Sequence, residues 1–159
     1  MNPDFATYSQ IHKSKRRLPH WTIDGGVYFV TFRLASGELR LEERSLVLDH
    51  IRQGHDSFYR LIGVVVMPDH VHLVLKPGPG LDLSRIMKGI KGASARKINL
   101  SRETRGTVWQ DESWDRIIRD EDELIGVLEY LVQNPVKAGL CAEPEAYPWL
   151  WILKDDSMF

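Results

Sequence analysis

The stretch VVVMPDHVHLVLKP, residues 64–77, decides the fold, because it predicts two neighbouring strands and the turn that joins them. A valine-rich run precedes Met67-Pro68-Asp69, and a second apolar run follows it. Proline presets φ and aspartate tolerates turn geometry, so the tripeptide predicts a tight connection. The stretch is therefore interpreted as an antiparallel hairpin.

The two faces of the second predicted strand differ in chemistry. Successive side chains of a strand point to opposite faces. Val71, Leu73 and Leu75 share one face, which predicts burial in the core. His70 and His72 share the other face, with their imidazoles about 6.5–7 Å apart along the strand. That spacing can hold one metal ion between them, although a pair of polar-face residues is the alternative.

Further strand and helix patterns flank the hairpin on both sides. Runs of β-branched and aromatic residues predict strands, and apolar residues at helical spacing predict helices. In chain order these are the strand VYFVTFRL, the helix LEERSLVLDHIRQ before Gly54, the helix DLSRIMKGIKGASARKINL, short strands TVWQ and WDRIIR, the helix DEDELIGVLEYLVQN before Pro135, and the closing segment YPWLWIL.

This order of elements predicts an α+β fold. A strand, a helix, a hairpin, a helix and a strand match the ferredoxin-like split β-α-β arrangement, a mostly antiparallel sheet with helices packed on it. The histidines would lie on a central strand. We expect a basic N-terminal arm over residues 1–20, a single domain over residues 21–153 and a C-terminal tail over residues 154–159.

Composition limits the class of protein. The chain has 159 residues, enough for one domain with a sizeable core. Its one cysteine, Cys141, excludes an internal disulfide and a cysteine-rich zinc site. The first 17 residues lack the apolar run of a signal peptide, and no run reaches the roughly 18 apolar residues of a membrane span. We therefore expect a cytoplasmic protein without membrane contact.

The distribution of charge is more informative than the net charge of −1, which argues against a nucleic-acid binder. Residues 83–107 hold seven basic residues and one acid, whereas residues 111–123 hold seven acids and two arginines. Solvated helix faces are the general explanation of such runs. A protein with one phosphate-facing side would show the same segregation.

The third predicted helix carries an aromatic residue outside its apolar stripe. At roughly 100° per residue, Tyr130 projects about 150° away from the centre of that stripe. Asn134 lies one turn later on the same side. A surface tyrosine that packs on a neighbouring element would explain this pattern as well. The stripe itself contains Leu124, Ile125, Val127, Leu128, Leu131 and Val132.

Several motifs together resemble a known family. The combination of LPHWTIDGGVYFVTFRL, MPDHVHLVL, VWQDESWDRIIRD, LEYLVQNPVKAGL and YPWLW is similar to the single-tyrosine HUH transposases of bacterial insertion sequences, and above all to their REP-associated branch. The resemblance extends over roughly residues 19–151. Asp111-Glu112 departs from it, because relatives often carry a basic residue and a glycine there.

The resemblance implies a site and a reaction. His70 and His72 match the family's metal-binding histidines, Tyr130 matches its nucleophile, and Asn134 matches the polar residue that completes the metal site. The cofactor would be a divalent metal, Mg²⁺ or Mn²⁺. The reaction would be cleavage and rejoining of single-stranded DNA near hairpins of palindromic repeats, through a 5′-phosphotyrosine intermediate.

The resemblance leaves the assembly open. Relatives of the insertion-sequence type work as dimers with the tyrosine donated in trans, while the REP-associated type can act as monomers. If the helix bearing Tyr130 were not docked over His70 and His72 of its own chain, the dimeric arrangement would be favoured.

Basic and aromatic residues supply candidate DNA contacts. Trp109, Trp114, Trp149 and Trp151 are expected in the core, with one or two free to stack on an unpaired base. Basic side chains neutralise phosphates without reading sequence. The candidates are Arg85, Lys88, Lys91, Arg96 and Lys97 on the second helix, Lys137 after the third, and Arg16 and Arg17 in the arm.

Three functions therefore stay open. The first is a metal-dependent DNA transposase. The second is a binding module that holds a DNA or RNA hairpin without cleaving it. The third is a metal-dependent phosphodiesterase that uses water, for which Tyr130→Phe would stay active.

Overall fold

A computed structural model describes residues 26–154 of the chain. Five strands form one sheet in the order β4-β1-β3-β2-β5. A 3₁₀ turn at Pro144–Ala146 precedes the last strand. The elements are β1 (Val27–Arg33), α1 (Leu41–Gln53), β2 (Tyr59–Val66), β3 (His70–Pro77), α2 (Leu83–Arg102), β4 (Trp114–Ile118), α3 (Glu121–Lys137) and β5 (Leu150–Ile152).

The sheet has the predicted α+β topology. All neighbouring strands are antiparallel. The order β1-α1-β2-β3-α2-β4 is the ferredoxin-like split β-α-β arrangement, and β5 extends the sheet beside β2. The predicted fold class is thereby confirmed. Strand β3 lies in the centre of the sheet, paired with β1 on one side and β2 on the other.

The central hairpin forms as its sequence predicts. The Met67 backbone N–H donates to the His70 carbonyl at 2.8 Å and closes the turn between β2 and β3. The segment that follows β1 also holds the turn. The Leu34 N–H donates to the Asp69 carbonyl, and the Leu39 N–H donates to the Pro68 carbonyl. The first histidine therefore starts β3 directly after a fixed turn.

The helices divide between the two faces of the sheet. Helices α1 and α2 pack on the face that Val71, Leu73 and Leu75 form. Helix α3 packs on the opposite face, where Val65 and Val74 contribute to the core. Because side chains alternate along β3, the α3 side is also the face of His70 and His72. In the part of the chain that the structure describes, α3 is therefore the one helix on the histidine face.

A glycine lets α3 approach the sheet closely. A methyl group added at Gly63 would lie 2.9 Å from Ile152 Cδ1 and 3.0 Å from Leu128 Cδ2. The pairing register of β2 with β3 shifts between Leu61 and Gly63, which marks a β-bulge at the same place. A larger residue at position 63 would push α3 away from the sheet, and the residues on α3 would move with it.

Helix α3 begins with strong local signals and continues beyond the expected end. The Asp120 side chain accepts the Glu123 N–H at 2.8 Å, and acids fill the first turn, where the helix dipole favours them. The prediction that Pro135 ends the helix is wrong, since the helix runs to Lys137. The Pro135 ring is buried, and this packing keeps the proline inside the last turn.

The segment TVWQ does not form a strand. Trp109 makes only an isolated bridge with Leu34, beyond the end of β1. Its ring packs on Phe32 with centroids 4.7 Å apart, and its Nε1–H donates to Ser94 Oγ at 2.9 Å. The β-like composition of this segment is explained by the packing of Trp109 in the core, and not by pairing with a neighbouring strand.

Some predictions lie outside the described residues. The arm over residues 1–20, with Arg16 and Arg17, and most of the tail belong to this group, and the domain boundaries stay predictions. Within residues 26–154, no helix combines the length and the apolar character that crossing a bilayer requires.

Candidate functional site

The two histidines lie side by side on the central strand. Thr31 is the cross-strand partner of His72, and Arg33 is the partner of His70. The imidazole centroids are 4.7 Å apart, with the rings nearly perpendicular at 77°. His72 is buried, at 4% exposure, and His70 is half-buried. The predicted shared face of the two rings is therefore present.

Asp69 fixes the orientation of the His70 ring. His70 Nδ1 and Asp69 Oδ1 are 2.6 Å apart. The hydrogen bond from His70 lowers the pKa of Asp69, more than burial raises it. An ionised carboxylate only accepts hydrogen bonds, so the His70 Nδ1–H is the donor. In the neutral ring, Nε2 then carries an open lone pair.

Thr31 fixes the His72 ring in a similar way. Thr31 Oγ1 lies 2.7 Å from His72 Nδ1 in a buried contact. Burial, and then electrostatic interaction with His70 and Arg33, lowers the pKa of His72 to about 3, so the ring is neutral. Its Nε2 is buried and has no hydrogen-bond partner among residues 26–154. A buried polar atom without a partner is uncommon and calls for an explanation.

The donor set fits a divalent metal. A metal-binding histidine usually donates the N–H of its other ring nitrogen to a carboxylate or another oxygen. Both rings fit this pattern if Nδ1 carries the hydrogen, since Asp69 Oδ1 and Thr31 Oγ1 are then the acceptors. In that tautomer a metal on the Nε2 atoms would satisfy the buried nitrogen of His72. No cluster of three or more His, Cys, Asp or Glu occurs between residues 26 and 154. Asn134 stays the predicted third ligand.

Tyr130 docks on the histidine face of its own chain. Its ring centroid lies 5.3 Å from that of His72 and 6.1 Å from that of Phe29. The side chain is still 45% exposed. A surface tyrosine that packs on a neighbouring element was the alternative, and here the element it packs on carries His72. The predicted candidates Tyr130 and His72 therefore meet in space.

The later residues of α3 follow Tyr130 along one side. Asn134 is half-buried one turn further on, and its carbonyl accepts the Ala138 N–H at 3.0 Å. Lys137 is exposed in the last turn. The apolar stripe on the other side of α3 is entirely buried, as its spacing predicts.

Comparisons with known proteins identify the family of the chain. A family model described as "Transposase IS200 like" matches residues 40–130, more than half of the chain. The chain belongs to this transposase family.

Individual relatives of the transposase carry the REP-associated name. The REP-associated tyrosine transposase of Escherichia coli (strain K12) is 26% identical over 137 residues, which cover 84% of this chain and 80% of that protein. A Haemophilus influenzae protein provisionally named a REP-associated tyrosine transposase is 24% identical over 143 residues, covering 79% and 78%. The resemblance to this branch is thereby confirmed.

A solved structure shares the fold of the transposase. It is described as a REP-associated tyrosine transposase bound to a REP hairpin, and it superposes with a TM-score of 0.66. The sequence identity is 22%, and the match covers 84% of this chain and 81% of that one.

Sequence reasoning missed three contributors to the site of this transposase. Phe29 and Thr31 come from β1 and lie against the histidine and tyrosine rings. Asp69 was interpreted only as a turn residue, yet its carboxylate holds His70. Alternation along VYFVTFR places Phe29, Thr31 and Arg33 on one face, which is the signal that could have found them.

The tryptophans divide between core and surface. Trp109 and Trp151 are buried as predicted, and Trp149 is half-buried against the core. The prediction for Trp114 is wrong, because this residue is 53% exposed. It lies on the outermost strand of the sheet, where Phe29 covers one side of its ring, with centroids 5.4 Å apart.

The basic residues of α2 lie on the other side of the sheet from the histidines. Arg85, Lys88 and Lys91 line an open groove of about 1140 Å³ between α2 and residues 106–115. The Lys91 ammonium already donates to the carbonyls of Gln110 and Asp111 and to the Ser113 hydroxyl.

The remaining basic candidates of α2 act electrostatically on His50 of α1. Burial lowers the pKa of His50 most, and the positive charges of Lys97 and Arg96 lower it further. All candidate DNA contacts stay predictions. The structure divides them into a group on α2 and the separate Lys137 on α3.

Proposed function

We propose that this chain cleaves and rejoins single-stranded DNA beside hairpins of palindromic repeats, with Tyr130 as the nucleophile. The observation that supports this proposal most is the docking of Tyr130 on His72 in the same chain, with centroids 5.3 Å apart. A nucleophile that must reach a phosphate held at the histidines needs this proximity and needs exposure to solvent. Tyr130 has both.

The proposed reaction exchanges one phosphate ester for another. The Tyr130 hydroxyl attacks the scissile phosphorus and loses its proton, while the bond from phosphorus to the 3′-oxygen breaks. The 3′-oxygen takes up a proton and leaves as a 3′-hydroxyl. The DNA 5′ end stays attached as a phosphotyrosine. Attack by a later 3′-hydroxyl reverses these changes and rejoins a strand without an external energy source.

A divalent metal is part of the proposal. His70, His72 and Asn134 would hold Mg²⁺ or Mn²⁺, which polarises the scissile phosphate and stabilises the charge on the leaving oxygen. Thr31 and Asp69 would keep the two imidazoles in the tautomer that presents Nε2. Burial keeps His72 neutral, as a ligand must be.

We further propose that the tyrosine acts in cis. Tyr130 and His72 belong to one chain and are already in contact. The Phe29 ring contacts the rings of both His72 and Tyr130 and supports that arrangement. One chain then contains a complete site, and a monomer suffices for cleavage.

The hairpin would bind on the α2 side. Arg85 and Lys88 line this groove and would neutralise phosphates of a duplex stem, although Asp82, Asp111 and Asp115 line it as well. A relative of the same fold is described as bound to a REP hairpin. The strand leaving the stem would then pass the edge of β4 to reach Tyr130, where Lys137 could neutralise a phosphate.

A denaturing gel tests the proposal. The protein is incubated with Mn²⁺ and end-labelled hairpin DNA from repeats that flank its gene. We expect a covalent adduct with wild type and none with Tyr130→Phe. Tyr59→Phe is the matched control, since Tyr59 packs in the core on the other face of the sheet from the histidines and does not line the α2 groove. This variant should form the adduct as wild type does.

Other outcomes identify the alternatives. Cleavage that persists in Tyr130→Phe would mean that water or another residue attacks, as in a phosphodiesterase. Tight hairpin binding by wild type without cleavage in Mn²⁺ would identify a binding module.

A further inference from the structure

Trp114 is an exposed aromatic residue beside the proposed nucleophile. Its side chain is 53% exposed, although an indole ring is among the largest apolar groups that a protein can bury. Strand β4 is the edge of the described sheet, so no further strand covers it. More than half of the Trp114 side chain is therefore accessible to a ligand.

A chain of aromatic contacts joins Trp114 to the site. The Trp114 ring meets Phe29 edge to face, with centroids 5.4 Å apart and an angle of 82°. Phe29 in turn meets Tyr130 at 6.1 Å and His72 at 5.6 Å. Phe29 thus fixes the position of the indole relative to both functional rings.

The register of the sheet sets the distance from Trp114 to the histidines. Trp114 pairs with Thr31 on β1, and Thr31 pairs with His72 on β3. Two strand spacings separate Trp114 from His72, or roughly 9.5 Å. At about 3.4 Å per stacked nucleotide, this span corresponds to about three nucleotides.

Trp114 also lies where the α2 groove reaches the sheet edge. Its neighbours Ser113 and Asp115 line that groove on the α2 side. Because side chains alternate along β4, Trp114 points to the opposite face, toward Phe29. A strand leaving the groove around this edge meets the indole before it reaches Tyr130.

We infer that Trp114 is a stacking platform for one unpaired base of the substrate, within about three nucleotides of the scissile phosphate. This inference rests on the proposed function, because the ligand is the single-stranded part of the same DNA. Aromatic stacking holds single strands with little dependence on sequence. Trp114 would therefore position the DNA strand without recognising its base sequence.

Binding measurements without metal test the inference separately from cleavage. The probe is a labelled oligo-dT strand of about 12 nucleotides, a length within the usual site sizes for single strands. We expect Trp114→Ala to weaken its binding about 5- to 100-fold, and Trp114→Phe to stay within about 3-fold of wild type. Ile117→Ala is the matched control, since Ile117 is an exposed apolar residue on the other face of β4. It should bind as wild type does.

An abasic scan places the stacked base. The probe is the flanking hairpin with single-stranded extensions, in which one nucleotide at a time lacks its base. For wild type, we expect removal of the base at one position to weaken binding of the probe. For Trp114→Ala, removal of the same base should not weaken binding, because the indole that would stack on it is absent. Thermal melting confirms that each variant is folded.

Two results would overturn the inference. One is equal binding of wild type and Trp114→Ala to both probes, and the other is an equal loss in Ile117→Ala. If the tyrosine adduct still forms in either case, the proposed function stands without the platform. If Trp114→Ala loses single-strand binding but no adduct ever forms, the platform stands and the cleavage proposal fails.

Discussion

The two faces of the sheet use the same strands for different purposes. Toward α1 and α2, the central strand presents Val71, Leu73 and Leu75, which are fully buried in an apolar core. Toward α3, the same strand presents half-buried His70 and buried His72, whose Nε2 has no hydrogen-bond partner within residues 26–154. Alternation along one strand thus separates the residues that stabilise the fold from the residues proposed to supply chemistry.

The largest expected effect tests the histidine face. His72→Ala removes a proposed ligand, and we expect Mn²⁺ affinity to fall by more than about 100-fold, beyond the usual effect of losing an outer-shell partner. Calorimetric titration of Mn²⁺ measures it. Equal affinity in wild type and variant would show that His72 is not a ligand.

The neighbouring residue supplies the matched control. Leu73→Ala deletes a fully buried side chain on the opposite face, and we expect the free energy of unfolding to fall by about 2–5 kcal/mol. Mn²⁺ affinity should stay near that of wild type at temperatures where the variant is folded. If His72→Ala and Leu73→Ala changed the Mn²⁺ affinity and the free energy of unfolding to the same extent, the division between the two faces would be wrong.

An intermediate effect is expected at Thr31. Thr31→Val keeps the shape of the side chain but removes the hydroxyl that contacts His72 Nδ1 at 2.7 Å. We expect Mn²⁺ affinity to fall about 10- to 100-fold, because the imidazole loses the partner that fixes its tautomer. Thr31→Ser keeps the hydroxyl and should recover most of the affinity. A serine variant as weak as the valine variant would point to packing as the cause.

The smallest expected effect concerns the other face, where a buried charge is fully paired. The Glu43 carboxylate accepts the Arg40 N–H and two hydrogen bonds from the Arg102 guanidinium. The hydrogen bond from Arg102 lowers the pKa of Glu43 more than burial raises it. Its stabilisation is therefore present above the unfolded pKa, near 4.3, and is lost as the pH falls through the folded value.

Glu43→Gln removes this dependence on pH. We expect the variant to be about 1 kcal/mol less stable than wild type at pH 7, since the glutamine amide can still accept a hydrogen bond. The difference should shrink as the pH falls below about 4. Urea unfolding across this range measures it. Parallel stability curves for the two proteins would contradict the assignment.

The sequence predicts most of the fold because the local patterns are strong. The hairpin around Met67-Pro68-Asp69 and the stripe of α3 need only local rules, and both are present. The same alternation places His70 and His72 on one face. The pattern does not tell which helix covers that face, since α1, α2 and α3 each have an apolar side.

Contacts between distant segments explain what the sequence could not predict. Thr31 meets His72 across 41 residues, and only the register of β1 with β3 brings them together. Trp114 resembles a core residue until β4 is known to be the sheet edge. Lys91 resembles a phosphate contact, yet its ammonium holds residues 110–113 to α2.

The central position of β3 has a consequence for the lifetime of the site. Its backbone is hydrogen-bonded to a strand on either side, so its amides are released only when the whole sheet opens. Amide hydrogens of the histidine strand should exchange with deuterium among the slowest in the chain. The spacing of the imidazole pair then persists as long as the native state itself.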